Sequence, residues 1–531
     1  MVGIQERSAR GATAAGHRPP AQEAYFTTAH CYHPGIPRTH ATPSEREDAW
    51  QEELRLRPDD AETLNRVGLE IWQQGRILDA YELFVRANQL KPEDEEILNN
   101  LGVTLWEQGR VDEAAECYRA ALKVQPDSFN ARMNLGVLAS DARRLDEAME
   151  WLRSAAQLRP DSADVLQNLG MTLARMDRWQ EAIEYYEQAL RLRPDYAEVH
   201  VNRAFAWLYH GDYQRGWPEL EWRVKRRCHQ GFVVHRPRWK GEELHGRFIL
   251  LHYEQALGDT LQFIRFAEPV KQRGGRVLVL CPPTLLRLVA HCPFVDLAFD
   301  GTTPGQPDCH VHAPLMSLPT ILGTTLETLP ARVPYLGVDT LLVHHWRSVL
   351  ASALVTAGQA FLSDSERQSG LSAPPLARPF LIGVVWQGSP SHPGDRWRSF
   401  PLTQLAPLAE LPGVRLVSLQ VGHGREQIAA LGGRFPILEL PGRRPRDFLD
   451  TAAIMTQLNL VVAPDSAVAH LAGGLGLPTW VALSTQSEWR WMAHREDSPW
   501  YPTMRLFRQK RLGDWDELFR RMAGELRRAL T

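Results

Sequence analysis

Between residues 61 and 196 apolar positions recur at the spacing of amphipathic helices, and that pattern itself repeats. From about residue 246 they gather instead into short unbroken runs separated by helical stretches. The repeat has a fixed period: Gly68, Gly102, Gly136, Gly170 and Ala204 stand 34 residues apart, as do Pro92, Pro126, Pro160 and Pro194. Ala80, Ala114, Ala148 and Ala182 keep the same step, and so do Ala87, Ala121, Ala155 and Ala189. Such marks predict a pair of antiparallel helices per unit, the small residue allowing close approach and the proline ending the second helix.

This register resembles the tetratricopeptide repeat, with units at 61–94, 95–128, 129–162 and 163–196. A fifth unit keeps its first helix, "AEVHVNRAFAWLYHGDY", and then places Gly216 and Trp217 where the small alanine is expected, which predicts a cap leading into the next domain. The solenoid is assigned to 46–230. Asn100, Asn134, Asn168 and Asn202 form a ladder on the first helices. It is either an acceptor-peptide groove, as in the repeat arm of the protein O-linked N-acetylglucosamine transferases it resembles, or simply a residue common at that position of the repeat.

In the second half, "RFILLHY" (247–253), "RVLVLC" (276–281), "FLIGVVW" (380–386), "VRLVSLQ" (414–420), "LNLVVA" (458–463) and "TWVALS" (479–484) read as buried parallel strands. "DTLQFIRFAEPVKQ", from Asp259, reads as an amphipathic helix. Alternation of strand and helix predicts two Rossmann-like domains, 240–375 and 376–531, joined through the loosely patterned stretch 340–378. Neither Gly-x-Gly-x-x-Gly nor a P-loop opens either series. The sharp loops are "EQALGDT", "WQGSPSHPGDRWRSFP" and "PDSAVAH".

At 531 residues the chain is too long for one ordinary core. Sixty Lys and Arg against 63 Asp and Glu leave a net charge of −3, so no global field favours nucleic acid or an anionic membrane. No apolar stretch is long enough to span a bilayer. The six cysteines lack disulfide or zinc spacing, which fits a reducing compartment and a cytoplasmic location. Residues 1–45, rich in Ala, Gly, Pro, His and Thr and without a signal-peptide core, are expected to be a disordered leader.

"LGDTLQFIRF" (257–266) and "PDSAVAHLAGGLGLPTWVAL" (464–483) resemble the heptosyltransferase-type glycosyltransferases of family nine, whose GT-B fold sets two Rossmann-like domains across a cleft. "WRWMAHREDSPWYPTMRLFRQ" resembles the bacterial subgroup in which a tetratricopeptide arm is fused to that domain. The resemblance implies inverting transfer from a nucleotide-sugar to a protein or cell-envelope acceptor recruited by the arm, with no resident cofactor. A scaffold that no longer turns over is the alternative.

It further implies that the donor diphosphate rests on Asp465, Ser466 and Ala467 at the start of "AVAHLAGG", a helix N-terminus with unpaired N–H groups, although both Asp465 and Ser466 are also ordinary capping residues. His470, one turn on, either approaches the phosphates or packs inside. Arg398 falls where the family carries a phosphate-facing lysine, and Gln387 opens the same loop. Asp259 takes the place of the base that accepts the acceptor-hydroxyl proton, with helix capping as its other reading. Arg396, Trp489 and Arg490 complete the candidate donor pocket. The α/β half is read as lacking a D-x-D pair, so a metal-free mechanism is expected. Asp308, Cys309, His310 and His312 are expected to be structural.

Overall fold

The structure, a computed structural model, describes residues 43–226, 234–254, 256–302, 308–360, 379–390, 392, 394–440, 445–485 and 487–531. Its first part is a helical solenoid. After a lead helix, Pro43–Leu56, come the pairs Ala61–Gln73 with Ile77–Leu90, Glu95–Glu107 with Val111–Val124, Phe129–Asp141 with Leu145–Leu158, and Ala163–Arg175 with Trp179–Leu192. Ala197–Tyr209 pairs with the shorter Tyr213–Leu220. The lead helix begins inside the segment expected to be disordered; the rest of that segment, 1–42, lies outside the described residues.

Both ends of the repeat period have a physical reason. Asp60, Asp94, Ser128 and Ser162 each accept a hydrogen bond from an N–H of the helix they cap. A Cβ on Gly102 would sit 2.5 Å from the Tyr118 ring, and one on Gly170 2.5 Å from the Tyr186 ring. Only glycine lets the aromatic of the second helix reach the first.

The second part holds two parallel sheets. The first comprises β1 (Phe248–His252), β2 (Arg276–Leu280), β3 (Leu297–Phe299) and β4 (Val311–Pro314) in the order β3-β2-β1-β4. The second comprises β5 (Phe380–Val384), β6 (Val414–Ser418), β7 (Ile437–Leu438), β8 (Leu460–Pro464), β9 (Thr479–Leu483) and β10 (Met504–Arg508) in the order β10-β9-β8-β5-β6-β7. Its strand order reverses direction between β5 and β8, as in doubly wound sheets. In the first sheet the reversal lies between β1 and β4.

Two expectations change. The helix from Asp259 is not continuous: it runs Leu257–Phe263, tightens to a 3₁₀ turn at Ile264–Phe266 and resumes as Ala267–Gln272, with Pro269 denying a donor to the next turn. The stretch read as a loose linker opens with a helix, Thr340–Ala360, that packs on Phe448–Met455 of the second sheet's unit; residues 361–378 lie outside the described residues. One continuous core joins the last repeats to both sheets. Among the described residues no helix is long and apolar enough to cross a membrane.

Candidate functional site

In open parallel sheets ligands bind beyond the C-terminal strand ends, where the strand order reverses. Here the two reversals face one cavity of about 940 Å³. From the first sheet's unit it receives Tyr253, Glu254, Ala256 and the helix start Leu257 to Asp259, and from the second the segments after β5, β6, β8 and β9. Asp259, Gln387, Arg398, Asp465, Ser466, Ala467, His470 and Arg490, singled out from the sequence at scattered positions, all line it.

On the second-sheet wall, Ser466 stands at the N-cap of Ala467–Gly474 in extended backbone, yet its side chain makes no capping bond. Its Oγ is buried without a hydrogen-bond partner among the described residues. A serine held only as a cap would direct that hydroxyl to the helix. Arg398 is fixed through Asp395, whose Oδ1 accepts from Arg398 Nε at 3.3 Å and from Ser399 Oγ at 2.9 Å; Gly388 N–H donates to Ser399 Oγ at 3.0 Å. Gly388 is required here, since a Cβ would lie 2.5 Å from Asp395 Oδ1 and 2.8 Å from Arg398 Nη2. His470 shares a 2.8 Å hydrogen bond between Nδ1 and the Tyr501 hydroxyl and stacks on Trp491. Burial, reinforced by Arg490, Arg265 and Arg398, holds its imidazole well below the usual histidine range, hence neutral. Gly258 lets the two walls meet: a Cβ there would be 3.0 Å from His470 Cδ2.

Facing Asp259 across the cleft, Arg490 is almost fully buried, and its guanidinium donates to three side chains among the described residues. Nη2 donates to Asp259 Oδ1, Nη1 to Glu488 Oε2 at 2.8 Å, and Nε to Gln262 Oε1 at 2.5 Å. Burial pushes the Glu488 carboxyl up, to about 8, and the neighbouring Asp465 and Asp259 charges push the same way against the pull of Arg490 and Arg398. Glu488 was missed in the sequence. Its signal was its place just beyond the C-terminal end of β9, next to the strand that delivers Asp465.

Other assignments are corrected. Trp489 lies outside the cavity lining; its ring packs between Trp217, at a centroid distance of 5.4 Å, and Trp500, at 6.2 Å, in an aromatic junction that excludes ligand. Arg396 also points elsewhere: Nη2 donates to the Asp141 carbonyl of the solenoid at 3.0 Å. It lines a second cavity, about 510 Å³, between solenoid residues such as Trp106 and Asp141 and the loop of Gln387, Pro390 and His392. Gln387, Pro390 and His392 line both cavities. The Gln387 side chain is a brace, its Oε1 accepting from Gln427 Nε2 at 3.0 Å.

The asparagine ladder is buried, with Asn100, Asn134, Asn168 and Asn202 only 1–3% exposed. Asn100 Nδ2 donates to Asn65 Oδ1, and Asn134 Nδ2 to Asn99 Oδ1, each at 2.9 Å across the repeat boundary. These amides bind neighbouring repeats, and their burial removes them from a peptide-lining role. In the Asp308 group, Asp308 accepts from Arg236 and His310 Nδ1 accepts from Phe248 N–H at 3.0 Å. A D-x-D spacing does occur at Asp514 and Asp516, where Asp514 caps Trp515–Leu530. Neither residue lines the cavity. Among the described residues no three His, Cys, Asp or Glu side chains are arranged to hold a metal ion.

Comparison with known proteins bears mainly on the solenoid. Protein FlbA of Caulobacter vibrioides is 25% identical over 353 residues, 61% of this chain and 54% of that protein, so the chain spans about half the relative's length. A match of that extent is longer than the whole solenoid, so the likeness continues into the α/β half. Among solved structures, TTC0263, a thermophilic TPR protein in Thermus thermophilus, is 23% identical, with 32% of this chain and 92% of that one covered at a TM-score of 0.30. YrrB, a TPR protein with an unusual peptide-binding site, is 16% identical over 33% and 91% of the two chains at 0.26. Tetratricopeptide repeat models match residues 99–163 and 163–196, so the helix pairs of this region are tetratricopeptide repeats.

Proposed function

We propose that the chain is an inverting glycosyltransferase of GT-B type that moves a sugar from a nucleotide-sugar to a polypeptide or cell-envelope acceptor brought in by the repeat arm. One observation carries the reading: a single cavity sets Asp259 on one wall, and on the other Arg398 with the Ser466–Ala467 helix start, whose serine hydroxyl has no partner among the described residues. The helix N-terminus and Arg398 would hold the diphosphate and meet the charge that grows on it as the bond to the sugar breaks, in place of a metal. Asp259 would take the acceptor-hydroxyl proton as the oxygen attacks the far face of the anomeric carbon. The second cavity supports delivery from the arm, because it lies between the arm and the main cavity and shares Gln387, Pro390 and His392 with it.

The scaffold reading has its own support: Arg490 already donates to Asp259 Oδ1, which ties the carboxylate into an ion pair within the protein. A thermal-shift screen of nucleotide-sugars followed by two variants separates the readings. A bound donor raises the unfolding temperature by mass action. Ser466→Glu is expected to weaken donor binding by setting negative charge against the diphosphate. Asp259→Asn is expected to leave donor binding nearly intact while lowering turnover roughly 10²- to 10⁴-fold. Transfer is expected to survive EDTA. No donor binding by the wild type would leave the scaffold; normal turnover in Asp259→Asn would move the base elsewhere; loss of transfer in EDTA, restored by magnesium or manganese, would refute metal independence.

A further inference from the structure

A diphosphate seated on the Ser466–Ala467 helix start meets a problem of charge. Five carboxylates and three arginines line the same cavity; Glu254 pairs with Arg223 and Asp447 with Arg287, which leaves Asp259, Asp465 and Glu488 around Arg398 and Arg490. Asp259 and Glu488 share one arginine, Arg490, whose Nε–H goes to Gln262. Glu488 follows β9 and Asp465 follows the adjacent β8, so the glutamate stands on the diphosphate side of the cleft. An ionised Glu488 would repel the ligand at close range, in a site where burial weakens screening. A neutral Glu488 would instead offer it an O–H donor.

We propose that Glu488 is a diphosphate-binding residue that acts as a neutral carboxylic acid donating to a phosphoryl oxygen, so that a nucleoside diphosphate takes up one proton when it binds above neutral pH. The inference rests on the transferase reading for the ligand's class, though not for turnover. The groups facing Glu488 are Asp465, Asp259, Arg490 and Arg398. His470, on the same cavity, stays neutral and adds no charge. Burial already raises the Glu488 carboxyl to about 8, so at pH 6.5 the free protein carries the proton before the ligand arrives. At pH 9 the ligand must bring it. A nucleoside diphosphate's own last ionisation, near pH ~6, is complete there; pyrophosphate still titrates at pH 9, so its uptake is read only as the difference from Glu488→Gln.

Isothermal titration decides, using the full chain with UDP, GDP, CDP, ADP and dTDP, and inorganic pyrophosphate as a base-free probe. Each is run at pH 6.5 and 9 in two buffers of different ionisation enthalpy. The expected result is uptake that exceeds that of Glu488→Gln by close to one proton at pH 9 and matches it at pH 6.5, with wild-type affinity falling up to tenfold per pH unit above about 8 relative to the variant. Glu488→Gln is expected to bind, since an amide N–H can donate in place of the acid, but without the wild type's extra uptake or its added fall in affinity above about pH 8. Glu488→Ala, confirmed folded by circular dichroism, is expected to bind roughly tenfold or more weakly at pH 6.5. Equal uptake by the wild type and Glu488→Gln at pH 9 would overturn the inference and leave the donor site standing. Failure of every probe to bind the wild type would overturn both.

Discussion

Gly388 shows how much of the site hangs on single atoms. Its missing Cβ leaves room for Asp395 Oδ1 and Arg398 Nη2, both far ends of flexible side chains. In Gly388→Ala those ends must move and the backbone need not. The expected outcome is a donor affinity lowered roughly tenfold, the worth of a charge-assisted hydrogen bond, with little change in melting temperature. A matching fall in stability would mean that the loop itself had collapsed. Glu488 gives a second prediction, in stability. Its folded-state carboxyl lies above the ordinary value of 4.5, at about 8, so the fold prefers the proton and loses stability as pH rises through that window. Glu488→Gln removes the dependence. Between pH 5 and 9 the wild-type melting temperature should therefore fall further than the variant's; parallel curves would show that Glu488 titrates normally.

At the scale of elements, the asparagine ladder is better described as a bond between repeats. Asn134→Ala would leave Asn99 Oδ1, a buried acceptor, without its donor. The cost is about 1–3 kcal/mol. Urea unfolding of the wild type and the variant measures it, and an unchanged midpoint would show that the bond between repeats adds nothing to stability. The ladder's spacing was legible in the sequence, but its direction was not: a 34-residue period fixes which residues are equivalent, while burial depends on how closely successive repeats wind. The strands were legible for a related reason, because runs such as Leu460–Pro464 are buried on both faces and read as unbroken apolar segments. The Ser466 turn stood out because it interrupts two such runs. Glu488 and Arg490 did not stand out as a pair, since only the fold brings residues 488–490 against residue 259. The helix Thr340–Ala360 was hidden too. Its apolar residues are spread around the helix, with Leu341 exposed and Trp346 buried, so no single stripe announces it.

At the scale of the whole molecule, arm and α/β half are built as one unit. Arg223, from the turn that ends the solenoid, is buried and donates to Glu254 Oε2 at 2.8 Å and to Ser317 Oγ at 2.6 Å. Glu254 itself lines the main cavity. Around this link lies the aromatic junction, in which Trp217 of the arm meets Tyr213 at 5.1 Å, Phe263 at 6.2 Å, Trp489 at 5.4 Å and Trp500 at 6.1 Å between ring centroids. Those rings come from the last repeat, the first sheet's unit and the second sheet's unit, so none of the three can unfold without exposing the faces of the others. The wild type is therefore expected to melt in one transition, whether followed by helical circular dichroism or by tryptophan fluorescence. Trp217→Ala should cost about 3–5 kcal/mol through lost burial and the cavity left behind, and should separate the two signals as the arm comes loose. Trp217→Phe keeps most of the ring contacts and should keep the signals together at a smaller cost. Two transitions in the wild type, or a Trp217→Ala protein that still melts as one body at the wild-type temperature, would show that the arm is merely tethered and that the second cavity does not hold a fixed geometry against the first.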